Sequence, residues 1–223
     1  MKALIFDLDG TLVDTVYAHT LAWQRVFAAA GFAVPAYLIS SRIGMNGELF
    51  VRSALREIGE TVTEEQSADL RKRHGEVYLE ILPSRTPLPG AVEILRSLRE
   101  RDIPHAIATS GKPTSIKESL DALQFEGETA VVDASDVTQG KPHPEVFLVA
   151  AKKIGIAPED CLVVGDAVWD VLAARRASMW CAAVLSGGNE RAELLQSGAY
   201  RVFRDVGELH ENLDLFGFAP VEQ

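Results

Sequence analysis

Acidic and phosphate-binding residue types recur in this chain where short apolar runs end. Asp7-Leu8-Asp9-Gly10-Thr11 follows Ala3-Leu4-Ile5-Phe6, and three later groups repeat the pattern: Thr109-Ser110-Gly111-Lys112, Gly140-Lys141-Pro142, and Gly165-Asp166 with Asp170. If these loops meet, Asp7, Asp9, Asp166 and Asp170 bring their carboxylates into one crevice, where repulsion raises their pKa values or loosens the fold unless a cation joins them. An all-oxygen donor set suits a hard ion such as Mg²⁺, which shares its shell with a substrate phosphate, and disfavours zinc. Next to such an ion a carboxylate becomes a usable nucleophile toward phosphorus, and loop amides after Gly10 can donate to phosphate oxygens. Lys141 can add a fixed positive charge, and Thr109 with its neighbour Ser110 a neutral hydroxyl donor. Asp9, two residues beyond Asp7, can protonate a leaving oxygen and later take a proton from water. The combined chemistry is phosphoryl transfer. Taken singly, the same residues also serve as turns, helix caps or first-turn helix acids.

For these loops to converge, the runs before them must be neighbouring strands. Ala3 to Phe6 reads as a buried strand delivering a polar loop at its carboxyl end. From Thr15 to about Leu82 the pattern is helical, with Leu21, Val26 and Phe27 spaced for one face and Leu49, Leu55 and Ile58 for another. Glu64 to Ile81 forms a further helix, with Thr63 as N-cap and Gln66 completing a capping box. Pro83, Pro87 and Pro89-Gly90 break the chain before an amphipathic helix over Ala91 to Glu100. Strand-like and helix-like stretches then alternate to Leu213. This rhythm predicts an α/β fold, a doubly wound parallel sheet covered on both faces, with its site at the strands' carboxyl ends. The division expected is a core segment at 1–15, an inserted small α-helical cap at 16–83, and the rest of the core at 84–223.

Composition narrows the setting. The chain has 223 residues, 47% hydrophobic and 24% charged, and its net charge of −10 opposes binding to nucleic acid or to an anionic membrane. Asp7 comes too soon for a signal-peptide apolar region, and no stretch approaches the ~18 apolar residues of a membrane span, so the expected location is cytoplasmic. Cys161 and Cys181 lack metal-type spacing and read as small buried thiols. His143, set between Pro142 and Pro144, reads as a loop residue rather than a ligand.

With these motifs in order, the chain resembles the haloacid dehalogenase superfamily of phosphohydrolases over essentially its whole length. The first motif is Phe6-Asp7-Leu8-Asp9-Gly10-Thr11-Leu12-Val13-Asp14-Thr15. The resemblance implies that Asp7 becomes an aspartyl-phosphate and that Asp9 is the general acid/base. It implies Mg²⁺ held by the Asp7 and Asp166 carboxylates and the Asp9 carbonyl, with Asp170 orienting the ion or its waters. It also implies that Thr109, with Ser110 beside it, and Lys141 bind the phosphoryl group. An acid at Asp9 sets the chain apart from the dehalogenases, and the helical insertion is similar to the cap of the phosphoglycolate phosphatase and β-phosphoglucomutase branch. Ala167, Trp169 and Ser178 depart from the family pattern, where serine, a small polar residue and glycine are common.

Substrate choice then belongs to the cap. His19 and Trp23, four apart, share a helix face and serve either packing or lining; Arg42 grips a substrate group or lies on the surface; Lys112 matches a basic position of mutase-type relatives. The expected activity is phosphomonoester hydrolysis on a small phosphorylated metabolite, phosphoglycolate-like or sugar-phosphate-like, by a monomer or weak homodimer. A phosphomutase, or a regulatory module carrying a phosphorylatable aspartate, would use the same parts.

Overall fold

The computed structural model describes residues 1–82, 84–124 and 130–219. Six short strands form one sheet: β1 (Ala3–Phe6), β2 (His105–Ala108), β3 (Ala130–Val132), β4 (Cys161–Gly165), β5 (Trp180–Val184) and β6 (Arg201–Phe203). Their order is β3-β2-β1-β4-β5-β6 and every pair is parallel. The order reverses at β1, which has β2 on one side and β4 on the other. Crossovers leave β1 in opposite directions there and open a crevice at the carboxyl ends, where the polar loops emerge.

Strand alternation sorts the core into two layers. Leu4, Phe6, Leu162, Val164, Ala182 and Val184 point to one face, which is covered by Ile94 and Leu98 of α5 (Ala91–Glu100), Ile116 of α6 (Pro113–Ala122) and Leu209 of α10 (Val206–Glu211). Ala3, Ile5, Cys161, Val163, Cys181 and Ala183 point to the other, against α7 (Glu145–Lys153), α8 (Val168–Arg176) and α9 (Arg191–Ser197). With both faces buried, the strands read as unbroken apolar runs. Cys161 and Cys181 are buried free thiols, as expected.

Between β1 and α5 lie α1 (Val16–Ala29), α2 (Ala36–Ser40), α3 (Gly47–Glu57) and α4 (Glu64–Ile81). These helices enclose a third apolar cluster built on Trp23, Phe27, Ile39, Phe50, Leu55 and Leu70. Helix α4 starts with the expected capping box: Thr63 accepts from the Gln66 amide and the Gln66 side chain accepts from the Thr63 amide. The expected stripes hold at Val26, Phe27 and Leu55 and miss at Leu21 and Leu49. Leu21 is 40% and Leu49 43% exposed. The faces turned inward carry Ala22, Trp23, Val26 and Phe27 on α1, and Phe50, Val51, Ala54 and Leu55 on α3. Where two apolar registers compete on a helix, the one carrying aromatic rings buries the larger area and wins. Pro83, at the expected end of the insertion, lies outside the described residues. Among the described residues no helix is long and apolar enough to cross a membrane.

Candidate active site

Asp7 continues the β1 ladder by one step, its amide donating to Val164 O at 2.8 Å, and its buried carboxylate sits at the mouth of the crevice. Asp166 follows the last residue of β4, and Asp170 lies in the first turn of α8. Lys141 comes from the loop before α7 and is 1% exposed. Its ammonium donates to Asp7 Oδ1 and lies 2.6 Å from Asp170 Oδ1.

One ligand-capable atom each of Asp7, Asp166 and Asp170 lies within 4.8 Å of the others. Neighbours hold the carboxylates in place. Thr11 Oγ1 donates to Asp166 Oδ1 at 2.8 Å, and the Ala167 amide to Asp170 Oδ2 at 3.0 Å. Two glycines make the room: a Cβ on Gly187 would overlap Asp166 Oδ2, and one on Gly10, whose φ is +85°, would come within 2.6 Å of the same oxygen.

The electrostatics are those of a site short of positive charge. Burial pushes the Asp7 carboxyl up to about 7; Asp170 and Asp9 add to the push and the Lys141 ammonium opposes it. Asp166 is raised well above the carboxylate range by burial, then by Asp170 and Asp7. Burial works against the Lys141 charge, yet Asp170 and Asp7 outweigh it and hold the ammonium above its ordinary value. A single ammonium faces a triad of carboxylates, and the donors are all oxygen. This set fits a hard divalent cation such as Mg²⁺, which would lower the Asp7 and Asp166 pKa values back toward the ionised range.

Asp9 sits beside the triad. Its Oδ1 accepts from Thr15 Oγ1 at 2.7 Å and lies 3.6 Å from His19 Nε2; Oδ2 is 3.5 Å from Thr109 Oγ1. Burial opposes its charge, but His19 and Thr15 overcome this and hold the carboxyl below its ordinary value. Thr109, 1% exposed, also accepts from the Gly111 amide at 3.0 Å.

A cavity of about 460 Å³ opens over these groups. Asp7, Asp9, Ser110 and Lys112 line its sheet side, while His19, Trp23 and Arg42 line the helical side with Phe50, His74 and Tyr78. The residues expected to do chemistry are therefore together, and all the expected substrate residues reach the same cavity.

The helical residues differ in what else they touch. Trp23 is 5% exposed and packs on Phe27, Phe50 and His74. Arg42 donates to Ser53 Oγ at 2.9 Å, Leu38 O at 3.0 Å and Glu57 Oε1 at 2.8 Å, so its guanidinium braces α2 against α3. His19 touches Asp9 directly. His143 has a side chain 43% exposed and stands apart from the acidic triad.

The turn after Asp9 closes on itself: the Gly10 amide donates to Val13 O and those of Leu12 and Val13 to Leu8 O. These three amides are spent on the turn, because a turn this tight satisfies its own backbone first. Trp169 has a use that its sequence position did not show, its Nε1 donating to Ser41 O at 3.2 Å and so joining α8 to the helical segment. Ser178 adopts φ +59°, the left-handed region in which glycine is the favoured residue. Thr15, His74, Tyr78 and Ser186, which donates to Gly10 O at 2.6 Å, belong to the site without having been singled out by spacing.

A parallel sheet with an acidic, lysine-bearing crevice at its switch point defines an α/β enzyme class, and comparison with known proteins supplies the family. Residues 1–178 match the haloacid dehalogenase-like hydrolases, and the chain belongs to that family. A crystal structure of a hydrolase from Pseudomonas syringae superposes with a TM-score of 0.93 at 41% identity, covering 96% of this chain and 99% of that one. The fructose-1-phosphate phosphatase of Escherichia coli (strain K12) is 36% identical over 79% of this chain and 92% of its own length. The β-phosphoglucomutase of Bacillus subtilis (strain 168) is 29% identical, with 84% of each chain covered.

Proposed function

We propose that this chain is a Mg²⁺-dependent phosphomonoester hydrolase that passes a phosphoryl group through Asp7 to water. Its substrate in this reading is a small phosphorylated metabolite of the phosphoglycolate or sugar-phosphate kind. The observation that carries the reading is the convergence of Asp7, Asp166 and Asp170 around Lys141 at the sheet's switch point. Helices α1–α4 serve as an inserted cap at 16–83, over a core made of 1–15 and 84–223. Two buried free thiols suit a reducing compartment, so the enzyme is read as cytoplasmic.

The Asp7 and Asp166 carboxylates and the Asp9 carbonyl would hold the ion, with Asp170 orienting it. Mg²⁺, when bound, neutralises carboxylate and phosphoryl charge that would otherwise repel. An Asp7 oxygen attacks phosphorus as the bond to the leaving oxygen breaks, and Asp9 gives that oxygen its proton. Asp9 then takes a proton from water, whose oxygen attacks the aspartyl-phosphate, releasing inorganic phosphate and restoring Asp7. Thr109, Ser110 and Lys141 hold the phosphoryl oxygens. The lowered pKa of Asp9 keeps it ionised, the form from which the base half of this cycle starts. An incoming phosphoryl dianion beside it raises its proton affinity and suits the acid half.

The test is release of inorganic phosphate from a chromogenic phosphomonoester, phosphoglycolate and a panel of sugar phosphates, with Mg²⁺ and with chelator. Repeated turnover that needs Mg²⁺ and no bisphosphate is expected; no release from any substrate would contradict the reading. The similarity to a β-phosphoglucomutase favours one second reading, in which a sugar hydroxyl replaces water as acceptor. Strict dependence on a bisphosphate, with an isomerised sugar phosphate as product, would establish it.

A further inference from the structure

Four rings from the helical segment are stacked behind Asp9. The His19 imidazole lies flat on Tyr78, with centroids 3.9 Å apart and planes at 3°, and its Nδ1 is 3.2 Å from His74 Nε2. His74 in turn lies flat on Trp23 at 4.2 Å and 11°. His19 belongs to α1 and His74 to α4, so the pair joins two helices at the point where the segment meets the acid/base candidate of the sheet.

Two imidazoles that share one hydrogen bond cannot both present a proton to it. If His19 Nδ1 carried the proton in a neutral ring, its Nε2 lone pair would face the Asp9 carboxylate, lone pair against lone pair, at 3.6 Å. If His74 Nε2 carries it, His19 Nδ1 accepts and His19 Nε2–H points to Asp9 Oδ1. With both rings neutral, only the second arrangement places one proton in each of these two contacts. We infer that His74 is a positioning residue for the proposed hydrolysis, donating from Nε2 to His19 Nδ1 and thereby fixing His19 with its other N–H on Asp9. The inference rests on Asp9 being the acid/base, as read above. Burial holds the His74 pKa well below its ordinary value, which keeps this ring neutral and limited to one N–H.

The role belongs to the N–H and not to the ring, so two substitutions separate it from packing. His74→Phe keeps a flat ring between Trp23 and His19 but removes the donor, whereas His74→Gln carries an amide nitrogen to the Nε2 position. On a chromogenic phosphomonoester with Mg²⁺, His74→Phe lowers kcat by about ten- to a hundredfold with KM little changed, and His74→Gln recovers most of it. A His74→Phe kcat within about twofold of wild type, or equal losses in both variants with intact circular dichroism, overturns the assignment.

Imidazole ¹⁵N spectra of the unsubstituted protein at mildly alkaline pH give a readout independent of turnover and of whether the variants fold. His19 is expected to be protonated on Nε2 and bare on Nδ1; a proton on His19 Nδ1 overturns the donor direction. If no phosphomonoester is turned over, the hydrolase reading fails while the spectra still decide the hydrogen bond.

Discussion

Lys141 sits with its ammonium against Asp7 and Asp170, buried to 1% exposure. Removing one partner of a buried ion pair strands the other, which costs about 3–5 kcal/mol. Lys141→Met keeps the aliphatic stem and removes the charge, so chemical denaturation in chelator should show a loss of that order. A change below about 1 kcal/mol would mean that the carboxylates are protonated or hydrated there.

Asp7 supplies a pH test of the same electrostatics. Its folded pKa of about 7 stands above the ordinary 3.8. Below the lower value both folded and unfolded chains hold the proton. Between the two, the unfolded chain ionises first, so the metal-free folded state loses stability as pH rises through this window. Asp7→Asn removes that loss. In chelator the melting temperature of Asp7→Asn should therefore gain on wild type from about pH 4 to about pH 7, and Mg²⁺ should close the gap. A difference independent of pH would contradict the raised pKa.

Among the elements, α1–α4 have a core of their own, which makes their stability separable from that of the sheet. Phe50→Ala removes a ring packed against Trp23 and Phe27 and should cost about 3–5 kcal/mol. Hydrogen exchange should quicken in α1–α4 while β1 and β4 keep their protection; equal loss in both would show one cooperative unit.

These helices are also where sequence and structure part. Strand β1 and helix α5 lie at their expected limits, because glycine, proline or polar residues bracket them. Leu21 and Leu49 misled because hydrophobicity does not say which of two adjacent registers faces inward, and Trp23 and Phe50 decided that by area. The site was legible where a side chain ends a strand, as with Asp7, Thr109 and Asp166. His74 was not, since it is mid-helix and meets His19 only through the pairing of α1 with α4, 55 residues away in the chain. The bonds of the Leu12 and Val13 amides to Leu8 O were hidden for a related reason: a motif shows that a loop is tight, but not which carbonyl its N–H groups will take.

At the scale of the whole molecule, one sheet order explains why loops some 160 residues apart share a crevice: β1 lies between β2 and β4, so their carboxyl ends are neighbours. Gly187, in the loop after β5, completes the enclosure by leaving space for Asp166. Gly187→Ala should displace that carboxylate and weaken Mg²⁺ dependence of melting, read as a smaller Mg²⁺-induced rise than in wild type. An unchanged rise would place the ion's charge compensation elsewhere.

The covalent step remains the most exposed part of the account. Asp9→Asn should accept a phosphoryl group slowly and fail to release it, so the acid-quenched variant, after incubation with a chromogenic phosphomonoester and Mg²⁺, can be digested and its peptides weighed. One added phosphoryl group on the peptide carrying Asp7, absent with chelator and absent when Asp7 is also changed to Asn, is the predicted result. A phosphoryl group on another residue, or none while this variant turns over freely, would contradict it.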